Sequence, residues 1–208
     1  MKKLIKGIIQ HKKEMSQDQL ENFRKLALEQ KPDALFVACS DSRVVPNLFA
    51  STDPGDLFVV RNVGNIIPPE KGGSSSGDVS EIAAVEFSTQ HLGVKDIIVC
   101  GHSECGAMHA LLDENTDLPP HLNQWVNHSK PIKETFKENR HKFPKEMSDV
   151  NVLSQMNVLQ QLEHLKTYSM ISERIEKGEV KLHAWWFDIA TATVSAYNEG
   201  SGSFEELG

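Results

Sequence analysis

Ala34-Leu35-Phe36-Val37-Ala38, followed at once by Cys39-Ser40-Asp41-Ser42-Arg43, is the stretch that decides how this chain folds. The first five residues are short, continuously apolar and β-friendly, and Lys31-Pro32-Asp33 punctuates their start, which predicts a buried strand. The next five put a thiol, a carboxylate and a guanidinium within one short turn. Asp96-Ile97-Ile98-Val99-Cys100-Gly101 repeats the design, an apolar run that delivers His102-Ser103-Glu104-Cys105-Gly106 at its end. Two strands therefore carry metal-type ligands at their carboxyl ends. In an open parallel α/β sheet those ends share one edge, where such folds build their sites. Cys39, Asp41, His102 and Cys105 are expected to meet there.

Working outward, Asp53-Pro54-Gly55-Asp56 is a turn into a third strand, Leu57-Phe58-Val59-Val60, which brings Arg61-Asn62-Val63-Gly64-Asn65 to the same edge. Ile82, Val85, Glu86, Thr89 and Leu92 ride a helix that Gly93 terminates, and a helix is predicted from Cys105 to about Asp113. The segment from His121 to Lys177 reads as mostly helical, with Val152, Leu153, Met156, Leu159, Leu162 and Leu165 on one long apolar face and Gly178 as the stop. Val180 to Phe187 is the fourth inner strand, its Trp185 and Trp186 serving as core or interface aromatics. Thr193 to Tyr197 adds an edge strand, and Gly200-Ser201-Gly202-Ser203 reads as a frayed end.

Strands alternating with helices predict an α/β fold with a mainly parallel sheet, about four parallel strands plus an edge strand, flanked by helices. Ahead of it, Leu4, Ile5, Ile8 and Ile9 have helical spacing, and Ser16-Gln17-Asp18-Gln19 is a capping box that opens a second helix through about Glu29. We expect a single domain over 1–208, with an N-terminal helical arm over 1–30 and an α/β core over 34–198. The arm's apolar stripe of Leu20, Phe23, Leu26 and Ala27 packs either on a partner subunit or on its own chain. Lys71 to Gly77 reads as a loop, and it lacks the Gly-Lys-Ser/Thr ending of a phosphate loop.

With 208 residues the chain is long enough for one sizeable core. A formal net charge of −7 leaves no basic footprint, so no nucleic-acid partner is expected. No apolar run approaches the ~20 residues of a membrane span, and Met1 to Lys6 is not backed by a signal-type apolar stretch. We expect no membrane partner and a cytoplasmic protein. Three cysteines make no disulfide framework, and a reducing compartment leaves their thiols free for a metal.

Cys39 and Asp41, two residues apart, face one way from an extended backbone. His102 and Cys105, three apart, share one side of a turn. A helix starting at Cys105 also favours its thiolate. Two thiolates and an imidazole suit Zn2+ and leave a fourth position for water. The alternatives are a closed structural zinc site with Cys100 as fourth ligand, and a redox pair, for which no Cys-x-x-Cys exists. Glu104, between two ligands, is either an acid/base or a solvated carboxylate.

Cys39-Ser40-Asp41-Ser42-Arg43 together with Gly101-His102-Ser103-Glu104-Cys105-Gly106 strongly resembles the β-class carbonic anhydrases, with a plant-type active site. The resemblance extends through Pro54 to Asn62 and the strand ending Leu182-His183-Ala184-Trp185. It implies zinc on Cys39, His102 and Cys105, reversible hydration of carbon dioxide to bicarbonate, and a homodimer or an assembly of dimers. It also implies that Asp41 either accepts a hydrogen bond from zinc-bound water or, in a closed state, binds the metal, with Arg43 deciding between the two. Gln30 matches a substrate-binding Gln, Phe58 and Val63 match the apolar pocket wall, and His91 matches a proton-transfer His. Phe87 departs from the Tyr of many relatives. Phe36 stands where relatives that bicarbonate switches off carry a Trp. Zinc lowers the pKa of bound water to ~7, so hydroxide oriented by Asp41 and the Arg43 clamp is the expected nucleophile. A carbon disulfide or carbonyl sulfide hydrolase on the same fold, or a zinc scaffold without catalysis, are the competing readings.

Overall fold

The computed structural model describes residues 1–70, 79–113 and 116–208; the Lys71 to Gly77 stretch, read above as a loop, lies outside these ranges along with Asp78. Two helices come first, α1 (Lys2–Glu14) and α2 (Gln17–Leu26). The capping box forms as expected: Ser16 Oγ accepts from the Gln19 amide at 3.1 Å, and Gln19 Oε1 accepts from the Ser16 amide at 2.8 Å. α2 stops at Leu26, short of Glu29, and the chain runs on in coil to Pro32. Neither helix buries a residue within the chain. Leu4, Ile5, Ile8 and Ile9 of α1 are each at least 50 % exposed, so its apolar face is left uncovered by its own chain.

From Ala34 strands and helices alternate through β1 (Ala34–Cys39), α3 (Pro46–Phe49), β2 (Leu57–Asn62), α4 (Ser80–Glu86), β3 (Asp96–His102) and α5 (Gly106–Leu112). Four helices follow, α6 (Pro120–Val126), α7 (Ile132–Asn139), α8 (Asp149–Lys166) and α9 (Ser169–Glu176). Then come β4 (Lys181–Asp188), β5 (Thr193–Asn198) and β6 (Ser203–Glu206). Among the described residues the strands form one sheet in the order β2-β1-β3-β4-β5-β6. The first four are parallel, as expected, and the last two antiparallel.

β1 is buried along its whole length, which is why its sequence is an unbroken apolar run rather than an alternation. Leu35 and Val37 pack with Ile82 and Val85 of α4 on one face, and Phe36 and Ala38 with Ile98 and Phe187 on the other. The register sets Cys39 opposite Asn62 and Ala38 opposite Cys100, so the carboxyl ends of β1, β2 and β3 reach one edge together. α8 lies flush on β3 because residue 101 has no side chain. A Cβ there would sit 2.6 Å from Val158 Cγ2 and 3.1 Å from Ser154 Oγ. α4 runs on into a π-helical turn over Phe87–His91 before the left-handed Gly93 ends it.

The C-terminus corrects one expectation. Gly200 to Ser203 is not frayed but forms a hairpin loop: the Gly202 amide donates to Asn198 O, and the Gly200 amide to Asn198 Oδ1, both at 2.8 Å. That is the Asn turn chemistry such residues favour, with Gly202 taking φ +69°. Tyr197 and Phe204 pack across the hairpin at 5.4 Å between ring centroids. β6 therefore covers β5, which is not the edge strand, and the core extends past 198 to Glu206. No described helix is long and apolar enough to cross a membrane.

Candidate metal centre

Cys39 is the last residue of β1, His102 the last of β3, and Cys105 the residue that opens α5. The backbone turns between the latter two through Glu104, held left-handed at φ +53°. The two Sγ atoms and a His102 ring nitrogen all lie within 4.8 Å of one another, and all three residues are buried. His102 Nδ1 is 2.9 Å from Ser103 O. A carbonyl only accepts, so Nδ1 carries the proton and Nε2 keeps a free lone pair. Nε2 is buried without a hydrogen-bond partner, and a buried orphan of this kind demands an explanation. Two thiols and an imidazole lone pair converging on one point are a donor set that fits a metal ion. Cys100 lies outside the group; its thiol points to Gly101 O at 3.4 Å, and burial pushes its pKa up.

The sulfurs are electrostatically unequal. The Cys39 thiol is lowered to about 4, first by a hydrogen bond from Cys105 and further by the neighbouring His102 ring and the amides of Gly64 and Asp41, against the opposing effect of burial. The Cys105 thiol is raised because it donates to Cys39 and is itself buried. The opposite shifts favour the proton on Cys105 and negative charge on Cys39, the thiolate form that binds a cation.

Arg43 grips Asp41 in a fork, Nε to Oδ1 at 2.9 Å and Nη2 to Oδ2 at 2.7 Å, while the Arg43 amide adds a bond to Oδ1 at 2.9 Å. These bonds hold the Asp41 carboxyl well below its usual range. Arg43 Nη2 also donates to Glu104 O at 3.1 Å, tying the two ligand loops together. The structure adds Arg61, to which the sequence assigned no role. Its guanidinium donates to Cys39 O at 3.1 and 3.0 Å and to Asp41 O at 2.6 Å, pinning the loop from behind. α8 supports the other loop: Ser154 Oγ donates to His102 O at 2.8 Å, and Asn151 Oδ1 accepts from the Glu104 amide at 2.8 Å. A signal for α8 existed in Ser154, Asn157, Gln161 and His164, buried polar residues at helical spacing inside an otherwise apolar helix.

Of the other expected site residues, Val63 adjoins the donor set, its peptide with Gly64 reaching Cys39 Sγ, whereas Phe58, Phe87, His91 and Gln30 lie away from it. Phe58, Phe87 and His91 form a cluster, with ring centroids 5.8 Å apart for the first pair and 5.0 Å for the second. Phe58 stands opposite Leu35, four residues before Cys39 in the register, so about 13 Å of strand separates Phe58 from the thiols. Gln30 is exposed in the coil before β1. Val63 is 42 % exposed in the loop after β2. The Glu104 carboxylate turns away from the ligands, to Ser148 Oγ at 3.3 Å and His109 Nε2 at 3.0 Å.

This is an α/β protein with a Cys-His-Cys donor set at the carboxyl edge of a parallel sheet, next to a carboxylate clamped by arginine. Residues 34–194 match the family model for carbonic anhydrase. The chain is 39 % identical to a carbonic anhydrase of Helicobacter pylori strain J99, the match covering 93 % of this chain and 90 % of that one. It is 37 % identical to one of Pseudomonas aeruginosa, covering 100 % and 92 %. In three dimensions it superposes on the β-carbonic anhydrase CcaA with a TM-score of 0.87 at 36 % identity, covering 100 % of this chain and 99 % of that one. A tetrameric β-carbonic anhydrase of Sordaria macrospora gives a TM-score of 0.71 at 32 % identity, covering 89 % and 85 %. The chain belongs to the β class of the carbonic anhydrase family, a family of enzymes.

Proposed function

We propose that this protein hydrates carbon dioxide reversibly to bicarbonate and a proton, with Zn2+ held by Cys39 Sγ, His102 Nε2 and Cys105 Sγ. The observation that carries the reading is the orphaned, buried His102 Nε2 facing two thiols. Zinc bound there would act as a Lewis acid, supplying a hydroxide nucleophile at neutral pH. The chain's own contribution is orientation. Asp41 has three of its roughly four acceptor positions filled by Arg43, two on Oδ1 and one on Oδ2. The acceptor position left on Oδ2 would accept a hydrogen bond from the nucleophile's O–H and so aim its lone pair at the substrate carbon. Arg43 keeps that carboxylate from becoming a ligand, because leaving the fork gives up charge-assisted bonds. Arg61 holds the carbonyls of both Cys39 and Asp41, which fixes ligand and orienting group as one unit.

The working unit in this reading is a homodimer or an assembly of dimers. Phe58 is too far along β2 to reach the thiols of its own chain, and Phe87 and His91 pack with it. β2 is an edge strand, and the α1 face is uncovered. A second copy seated on this side supplies the pocket wall and brings His91, as proton carrier, and Gln30 within reach of the partner's metal. The test measures zinc per chain beside carbon dioxide hydration by stopped flow, in the parent protein and in Cys105→Ala. The expected result is one zinc with turnover in the parent and neither in the variant. Full zinc occupancy in Cys105→Ala refutes the ligand set, and a zinc-loaded parent without hydration refutes the activity.

A further inference from the structure

We propose that Trp125 is a positioning residue for the metal centre, its indole N–H acting through the Val63–Gly64 peptide to set the hydrogen bond that the Cys39 sulfur receives. The inference rests on the reading of Cys39, His102 and Cys105 as metal ligands, and adds a residue from α6 that lies outside the donor set.

The Val63 carbonyl and the Gly64 amide are the two ends of one planar peptide. Trp125 Nε1 donates to Val63 O at 2.7 Å, and Gly64 N donates to Cys39 Sγ at 3.3 Å. One rigid plane is therefore gripped at its oxygen by the indole and at its hydrogen by the sulfur. Donation to the carbonyl also polarises the N–H, because hydrogen bonds in series strengthen one another. The far side of Gly64 is fixed independently. Asn157 Nδ2 donates to Gly64 O at 3.0 Å, and its Oδ1 accepts from Ser129 Oγ at 2.8 Å and Gln161 Nε2 at 2.9 Å, so the amide is turned with its donor toward the loop. Gly64 sits at φ +81°, and a Cβ would come 2.8 Å from Ala107 Cβ in α5, so the loop presses against the helix that Cys105 opens. With both sides of Gly64 held, the only polar group among the described residues that sets the tilt of its N–H at the carbonyl end is Trp125. The ring otherwise packs with residues around α5 and α8 and makes an edge contact with His128 at 5.8 Å.

A packing role and a positioning role separate when the N–H is removed without changing the ring. The protein is loaded with Co2+ in place of zinc and compared with Trp125→Phe and with a version carrying benzothienylalanine at 125, which keeps the indole shape but has sulfur for the N–H. The thiolate-to-cobalt charge-transfer band reports electron density on the cysteine sulfurs, and chelator competition reports affinity. A sulfur that loses its amide bond donates more strongly, so the band is expected to move to lower energy in both. Metal affinity is expected to fall about 10-fold, the lower end of what supporting groups around a metal contribute. The benzothienylalanine protein keeps the fold even if Trp125→Phe does not. An unmoved band and unchanged affinity in that protein overturn the inference, whatever happens to its unfolding midpoint. A parent protein that binds no metal overturns the ligand reading and this one with it; a parent that binds one metal, unaffected at 125, overturns this one alone.

Discussion

Gly101→Ala asks whether the seating of α8 on β3 sets the position of His102, the next residue along. The added Cβ would lie 2.6 Å from Val158 Cγ2, where carbon atoms normally rest about 3.5 to 4.0 Å apart, an overlap of about 1 Å. Strand or helix must move, and such overpacking costs about 2 to 3 kcal/mol. Val158→Ala alone removes two buried methyl groups and leaves a void, at about 2 to 3 kcal/mol. Together they remove the worst clash. The new methyl occupies space that Val158 vacated, leaving only the Ser154 contacts at 3.1 and 3.3 Å to be absorbed. The double variant should lose about 3 kcal/mol where simple addition gives about 5. Urea unfolding followed by tryptophan fluorescence measures the three losses, and zinc per chain measures the site. Gly101→Ala should bind less zinc, since displacing β3 also strains the Ser154 bond to His102 O, and Val158→Ala should restore part of it. Strictly additive losses would refute the steric reasoning. Full zinc occupancy in a destabilised Gly101→Ala would show that the strand shift does not reach His102.

Asp41→Asn and Arg43→Ala should each keep zinc and lose most turnover, and the double variant should be scarcely worse than the worse single, because the fork acts as one unit; additive losses in stopped-flow rates argue for separate roles. His91→Ala should lower turnover at low buffer concentration and recover with added imidazole, and a rate indifferent to buffer removes the proton-carrier role. Tyr168 is buried, donates to Pro68 O at 2.7 Å, and has its pKa raised to about 12 by burial. Its folded pKa exceeds the unfolded value of about 10, so this contribution is fully present below pH 10 and drains away as pH rises toward 12. Urea midpoints of the parent should therefore fall more steeply than those of Tyr168→Phe across that window; parallel curves refute the assignment.

How much of this molecule is legible in its sequence follows from where each piece of information is stored. β1 and β3 announced themselves because strands buried on both faces of a parallel sheet need unbroken apolar runs, and the grouping of Cys39, His102 and Cys105 because donor chemistry resides in side-chain identity. What holds those donors in place was hidden for the opposite reason. The sulfur of Cys39 is addressed by the amides of Gly64 and Asp41, and Arg61, Arg43 and Trp125 act on the carbonyls of Cys39, Glu104 and Val63. Backbone groups are the same at every residue, so only the folded register reveals which of them is in use. The hairpin after β5 was misread because Gly and Ser suit a frayed end and a tight turn equally, and the choice lies in Tyr197 finding Phe204. Phe58 and His91 are a different case. Their identities are plain and their places are fixed, yet about 13 Å of strand separates Phe58 from the thiols of the same chain, and His91 packs beside it through Phe87. In the proposed function their part in the chemistry depends on a surface shared between two copies, and loss of turnover on dissociating the assembly, with zinc still bound, is what that proposal requires.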